Sequence, residues 1–408
     1  MKGKLLILLL LLSGSTAFGQ SDSLRFSVRG VVRDYDTGRP LSAVGVGIPG
    51  TQIAVITNSD GTFVIKSPTP AGQLNFSLLG YQNIRKDVPE DPGKVMSVKM
   101  RKLSFTLDPA VVMTADPASL MLMAIDRIDE NLPPEAELFD CFYRETVQKR
   151  QRFIFVSEAV TKVYKSSSRE LFVPDRAAVA KSRLLTSPRA SDTLSVKVLG
   201  GPAMPVDLDI VKHRLDIFDP GGLSNYKLEA GMPEVINDRM QFVIKFSPAT
   251  APGYALHYGT VYIDRETLAF TRVELWLDVS DPVLATKAML VRKPAGLKFK
   301  PKELSIVLNY GSDDGKMRLN YLKTKFKFNC DWKKKLFATE FTAVSEMVVT
   351  NRHAGDEARQ IPYSDAFRTR DALADKTGLY LDKDYWAAYN IIEPTVSLEH
   401  AIARLKKD

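Results

Sequence analysis

Thr260-Val261-Tyr262-Ile263-Asp264-Arg265-Glu266-Thr267, followed by Phe270-Thr271-Arg272-Val273-Glu274-Leu275-Trp276-Leu277, decides the fold of most of this 408-residue chain. Successive side chains of a strand point to opposite faces. The second arm therefore sets Thr271, Val273, Leu275, Leu277 and Val279 on one face. It sets Phe270, Arg272, Glu274, Trp276 and Asp278 on the other. Asp264 to Thr267 is a turn between the arms, so the segment reads as a hairpin with one apolar face. Phe153 to Tyr164, Gln241 to Phe246, Leu304 to Tyr310, Lys316 to Asn329 and Leu336 to Val349 read as further strands, with Ser312-Asp313-Asp314-Gly315 as a hairpin turn. About ten strands between 140 and 350 with no intervening helices predict a large antiparallel sheet covered on one face.

Helices flank this sheet. Asp116 is placed to N-cap and Pro117 to open a helix in which Leu120, Ala124 and Ile128 share a side, ending before Pro133-Pro134. Ser364 to Asp375 reads as another helix. Ser397 reads as the cap of a last one with Leu398, Ile402 and Leu405 on its apolar side.

Upstream, residues 25–103 read as a compact β unit of six or seven short strands. Asp34 to Pro40 is a cluster of turn formers, and Asn58-Ser59-Asp60-Gly61 is a hairpin turn because Gly61 takes positive φ without steric cost. Val28-x-Gly30-x-Val32, Thr37-Gly38-x-Pro40-Leu41, Val44 and Val46, Gly50-Thr51, Thr57-Asn58-Ser59-Asp60-Gly61-x-Phe63 and Gly80-Tyr81 follow in order. Together they resemble the carboxypeptidase regulatory-like domain. The resemblance covers about 75 residues. It implies a seven-stranded, transthyretin-like sandwich of the Gram-negative cell envelope, of the kind found ahead of the plug in TonB-dependent transporters. It implies no peptidase activity. Phe142-Tyr143-Arg144-Glu145, Glu158-Ala159-Val160 and Gly259-x-Val261-Tyr262-Ile263-Asp264 resemble the region that accompanies this sandwich in exported proteins. The last hairpin also resembles part of the half-barrel lipoprotein carriers.

The fold expected is therefore mainly β: an N-terminal seven-stranded β-sandwich (25–103), a linker (104–117), and a large antiparallel β-sheet domain with a few flanking helices (118–408). Residues 1–19 read as a signal peptide. Lys2 and Lys4 precede eight unbroken apolar residues, Leu5 to Leu12, and Ala17-Phe18-Gly19 offers small residues for cleavage between Gly19 and Gln20. The run is too short to span a bilayer. No cysteine lies near the cleavage point to carry a lipid. The expected location is the periplasm or the periplasmic face of the outer membrane. The helical, lysine-rich end of the chain argues against an outer-membrane barrel.

The chain carries a net charge of +8, which falls to +6 without the leader. The excess is local: Asp281 to Lys335 holds 14 Lys and Arg against five Asp and Glu. Lys323, Lys325 and Lys327 alternate with apolar residues, which puts three ammonium groups on one strand face. That face reads as solvated or as a site for an anionic partner, an envelope protein, glycan or lipid. The compartment disfavours nucleic acid. Cys141 and Cys330 are the two cysteines, and the sequence leaves open a disulfide or two buried thiols.

The catalytic patterns fail on context. Gly45-Val46-Gly47-Ile48-Pro49-Gly50 matches G-x-G-x-x-G but no helix follows it to receive a pyrophosphate. Ser224-Asn225-Tyr226-Lys227 and Lys376-Thr377-Gly378 fit S-x-x-K and K-T-G. However, glycines and Pro233 crowd the first, and the required S-x-N between them is absent. His213, His257, His353 and His400 form no zinc spacing, so a zinc carboxypeptidase is contradicted. No catalytic residue, metal or cofactor is expected. The leading expectation is an exported non-catalytic binding or assembly protein of the cell envelope. The alternatives are a half-barrel carrier of lipid or lipoprotein, and a hydrolase whose site has no linear signature.

Overall fold

The computed structural model of the protein describes residues 26–91, 93–103, 116–170, 173–189, 192, 196–198, 200–332, 338–368, 370–373, 386 and 389–407. The expected leader with its Gly19/Gln20 cleavage point, linker residues 104–115 and Lys376-Thr377-Gly378 lie outside the described residues.

The first module has seven strands: β1 (Phe26–Asp34), β2 (Gly45–Gly47), β3 (Ala54–Ile56), β4 (Thr62–Ser67), β5 (Gln73–Ser77), β6 (Ile84–Asp87) and β7 (Met96–Met100). They form a three-stranded sheet in the order β4-β1-β7 and a four-stranded sheet in the order β3-β2-β5-β6. Alternation sends Val28, Val32, Phe63, Ile65, Leu74, Phe76, Val98 and Met100 into the shared core. There Phe63 and Phe76 meet edge to face at 5.6 Å. Gly61 has φ 74°, and a Cβ there would lie 2.4 Å from the Val32 carbonyl oxygen, so the turn requires glycine. The glycine triplet at 45–50 is strand β2 followed by a turn into β3.

The second module has thirteen strands: β8 (Glu137–Lys149), β9 (Arg152–Lys165), β10 (Arg176–Thr186), β11 (Lys197–Val198), β12 (Tyr226–Ala230), β13 (Glu234–Ile236), β14 (Arg239–Pro248), β15 (His257–Asp264), β16 (Phe270–Leu277), β17 (Leu290–Arg292), β18 (Leu297–Asp313), β19 (Lys316–Trp332) and β20 (Thr339–Ala354). Eleven of them form one sheet in the order β10-β9-β8-β20-β19-β18-β16-β15-β14-β12, with β13 also on β14. All its pairings are antiparallel. β11 and β17 make a small separate sheet. Most neighbours follow chain order. β16 with β18 and β12 with β14 each skip one strand, and β8 against β20 joins the first and last strands of the module.

One sheet face carries Val261, Ile263, Val273, Leu275, Leu308, Leu322, Phe326 and Phe328. It is covered by the helix Pro117–Asp126 through Leu120, Met121, Ala124 and Ile125. The segment 203–223 covers it through Met204, Ile217 and Phe218, and the helix Pro282–Met289 through Ala285 and Met289. Asp116 caps the first helix, accepting from the Ser119 N–H at 3.0 Å, with Pro117 in the first turn as expected.

The opposite face differs from the expectation of a sheet covered on one side. Ile56 of the sandwich packs there with Phe142, Val160, Tyr321 and Val348, together with Trp386, Ile391 and Ile392 of the C-terminal segment. The C-terminal helix Val396–Lys407 lays Leu398, Ile402 and Leu405 against Val156. Alternation along a strand tells which side chains share a face. It does not tell what a distant segment lays over that face.

Two further expectations are corrected. Residues 364–368 and 370–373 form no α-helix, because the Phe367 N–H donates to the Ala177 carbonyl at 2.7 Å and pins the segment to the edge of β10. The last helix begins at Val396 and is capped by Thr395, not Ser397: Thr395 Oγ1 accepts from the Leu398 N–H at 3.1 Å.

Candidate binding cleft between the two modules

The sandwich and the large sheet form one junction. The Gly80 N–H donates to the Val235 carbonyl at 3.0 Å. Gln52 Nε2 donates to Asp313 at 2.7 Å. On the other side, Lys66 Nζ donates to the carbonyls of Trp386 and Tyr389, and Asn58 Nδ2 to those of Glu393 and Pro394. Beneath that strap the Glu158 carboxylate, fully buried, accepts from Arg144, Arg183 and the Trp386 indole.

A cleft of about 620 Å³ lies in this junction. β5 and the approach to β6 contribute Asn75, Ser77, Asn83 and Arg85. The β13–β14 turn contributes Asn237 and Asp238, and the sheet contributes Gln241, Asp264 and Thr271. Asn237 and Asp238 both have positive φ (51° and 58°), the geometry of a two-residue hairpin loop that asparagine and aspartate tolerate. The walls are held by hydrogen bonds. Arg239 grips Asp264 with two donors at 2.5 and 2.6 Å, and the Thr267 N–H adds a third at 2.9 Å. Burial alone would raise the Asp264 carboxyl. These donors overcome it and hold the group down at about 2. Gln241, buried, accepts from the Thr271 hydroxyl at 2.7 Å and donates to the Arg239 carbonyl at 2.9 Å. Asn83 is different: its N–H donates to Asp238 at 3.3 Å, whereas its side-chain oxygen Oδ1 is buried with no hydrogen-bond partner among the described residues. A buried acceptor without a donor is costly, and a bound donor would relieve it.

Elsewhere the buried ionisable groups are locked in pairs. Lys165 lies between Asp175 at 2.6 Å and Asp209 at 2.7 Å. Burial opposes its charge, but the two carboxylates prevail and keep it protonated. His213 stands 3.7 Å from Asp175 with its pKa lowered, chiefly by burial. His257 Nδ1 is 2.6 Å from Asp216, which also accepts from the Tyr226 hydroxyl. Among the described residues no hydroxyl or thiol partners the other nitrogen of that imidazole. His353 lies between Asp140 at 2.9 Å and Glu357 at 2.8 Å. The Glu145 carboxyl is pushed up by burial and accepts from the Tyr143 hydroxyl, but it does not line the cleft. Among the described residues no group of three or more His, Cys, Asp or Glu is arranged to hold a metal ion. No described helix is long and apolar enough to cross a membrane.

The residues singled out in the sequence are not brought together. Lys323, Lys325 and Lys327 do share a strand face, and each meets a carboxylate: Glu346 at 3.0 Å, Glu303 at 2.9 Å and Glu340 at 3.4 Å. The charge of that face is thus compensated across β18, β19 and β20. Cys141 and Cys330 are free, buried thiols, one of the two alternatives that the sequence left open. On β20 they oppose Val349 and Thr339, ten residues and therefore about 33 Å apart, far beyond disulfide reach. Ser224 donates to the Gly221 carbonyl while Lys227 pairs with Glu229 on β12, so they form no catalytic dyad. The cleft itself was missed because its residues come from five separated stretches, 75–85, 131, 236–241, 264–271 and 310–317. Its one local signal was the Asn237-Asp238 pair, a turn former between two strands.

Among curated proteins none matches this sequence. Solved structures to which the chain is similar include a putative outer membrane lipoprotein-sorting protein domain from Vibrio parahaemolyticus. It is 11% identical, covering 61% of this chain and 97% of that one, with a TM-score of 0.29. A LolA superfamily protein from Nitrosomonas europaea is 10% identical, covering 62% and 99%, with a TM-score of 0.26. A DUF1329 family protein from Desulfovibrio piger is 12% identical, covering 58% and 93%, with a TM-score of 0.26. Residues 28–112 match the family model of the CarboxypepD_reg-like domain, and with the seven-stranded sandwich observed over residues 26–100, the N-terminal module is a domain of that family.

Proposed function

We propose that this is a non-catalytic binding or assembly protein of the cell envelope, taking a polar, hydrogen-bonding ligand in the cleft between its modules. The leader-like residues 1–19 support a place in the periplasm or on the periplasmic face of the outer membrane. The observation that carries the reading is the buried, unpartnered Asn83 Oδ1 in a polar cleft where Arg239 with Asp264 and Gln241 with Thr271 already hold one another. Two features support it over the alternatives. The apolar sheet face that a lipid carrier would leave open is filled by the chain's own Met121, Met204, Phe218 and Met289. Asp264, the buried acid of the cleft, is held by Arg239 with its carboxyl kept low, so it is not poised to donate a proton.

The test is native mass spectrometry of the mature protein purified from a Gram-negative envelope, followed by screening against envelope glycans and peptides. Binding without turnover, weakened by Asn83→Leu at unchanged melting temperature, is expected. Co-purified lipid would favour the carrier. Turnover abolished by a single substitution would establish a hydrolase.

A further inference from the structure

A second cavity, of about 760 Å³, opens at the other end of the β8–β9 hairpin, against the start of β20 and the first turns of the C-terminal helix. Its lining includes Lys149, Arg150, Arg152 and Arg404, with His400 beside them, and no carboxylate among the described residues. Asp192 has a buried side chain and takes Arg152 at 2.6 Å and Lys149 at 3.4 Å, so both of these cations have a partner. Glu340, next in chain to the lining residue Thr339, is engaged by Lys327 at 3.4 Å. Arg150 is exposed at the hairpin tip with φ 58°, and its N–H donates to the Glu340 carbonyl at 2.9 Å, so the tip that presents it is tied to β20. Arg404 is exposed on the helix across the cavity.

Lys149, Arg150 and Arg152 lie within four residues of one turn, and Lys149 directly opposes Arg152. Like charges gathered this way repel one another. Unlike Lys323, Lys325 and Lys327, the side chains of Arg150 and Arg404 meet no carboxylate among the described residues. A multiply charged anion would supply the missing compensation. Guanidinium forks and an ammonium suit the several oxygens of a phosphate better than a lone carboxylate, and the volume falls within the range of small-ligand sites. Phe153, half-buried and packed with the apolar patch of Leu398, Ile402 and Leu405, gives the cavity a non-polar wall beside its cations.

We infer that this cavity binds a phosphate-bearing anion, either free or as the headgroup of a lipid, at a site separate from the cleft between the modules. The probes are glycerol phosphate in solution, and phosphatidylcholine vesicles with and without phosphatidylglycerol. Wild-type protein is expected to bind at least one probe, with affinity falling as salt rises. Arg150→Gln with Arg404→Gln is expected to weaken that binding about 30-fold, taking each basic group near an anionic surface at its usual weight. Both side chains are exposed, so the melting temperature should not change. If it does, Arg404→Gln alone, expected to cost about fivefold, replaces the pair. Lys323→Gln with Lys327→Gln removes equal charge elsewhere and should bind like wild type.

Glycerol phosphate binding in solution and displacing vesicles would identify a free phosphate site. Vesicle binding that glycerol phosphate does not displace would identify a lipid headgroup site. Equal loss in the two double variants, tighter binding of an acidic peptide than of either probe, or binding of neither probe would overturn the inference.

Discussion

Glu158→Gln tests the junction that holds the two modules together. The carboxylate is fully buried on β9 and receives Arg144 at 2.7 and 2.8 Å, Arg183 Nε at 2.8 Å with a second, shorter contact, and the Trp386 indole N–H at 3.0 Å. Glutamine keeps the shape but removes the charge, and it turns one acceptor into a donor facing donors. Removing one partner of a buried ion pair costs about 3–5 kcal/mol, because the charges left behind lie out of water. For a chain of this size, about 2 °C per kcal/mol gives a fall of roughly 6–10 °C in melting temperature.

The pH dependence has a definite sign. Burial by itself would raise the Glu158 carboxyl, but the two guanidinium groups outweigh it and the folded pKa lies below the usual 4.5. Its stabilisation is therefore present above 4.5 and is lost as pH falls through the folded value. Urea unfolding followed by tryptophan fluorescence should show wild type and variant furthest apart at neutral pH and converging in acid. Replacing the whole cluster, Arg144→Met, Glu158→Leu and Arg183→Met, should recover most of the loss, since apolar groups of similar volume leave no buried charge unpaired. A difference under about 1 kcal/mol at pH 7, or a triple variant less stable than the single one, would refute the reasoning.

Gly259→Ala should destabilise by about 1–3 kcal/mol or prevent folding, because a Cβ on β15 would stand 1.9 Å from the Glu274 carbonyl oxygen of β16, where backbone cannot yield. Thermal unfolding measures it, and an unchanged midpoint would contradict the β15–β16 register. Cys141 and Cys330 should each take up alkylating reagent in denaturant without prior reduction, and slowly in the native state. Burial pushes both thiols up, that of Cys330 to about 11. A mass showing an internal disulfide would contradict the sheet order.

The alternation at 260–277 and the turn at 312–315 were legible because both are local. Each strand period and each positive-φ turn depends on residues a few positions apart, and the structure has both hairpins where the residues put them. The sandwich was legible for the same reason, through glycines and turn formers that only a few backbone shapes accept. Strand β9 was legible as a strand but not as one buried on both sides. Glu158 is a charged residue whose burial comes with Arg144, Arg183 and Trp386, brought to it from three other segments. The same holds for the cleft and the basic cavity. Residues 75 and 83 meet 238 and 264 only because the sandwich docks on the β13–β14 hairpin, and 150 and 404 line one cavity only because the C-terminal helix lies against β9. By itself the amino-acid order determined the strands, their apolar sides and the kind of module at each end. Only the tertiary structure decided which charges lie out of water and which remain without partners, because burial and compensation are set by contacts between segments hundreds of residues apart.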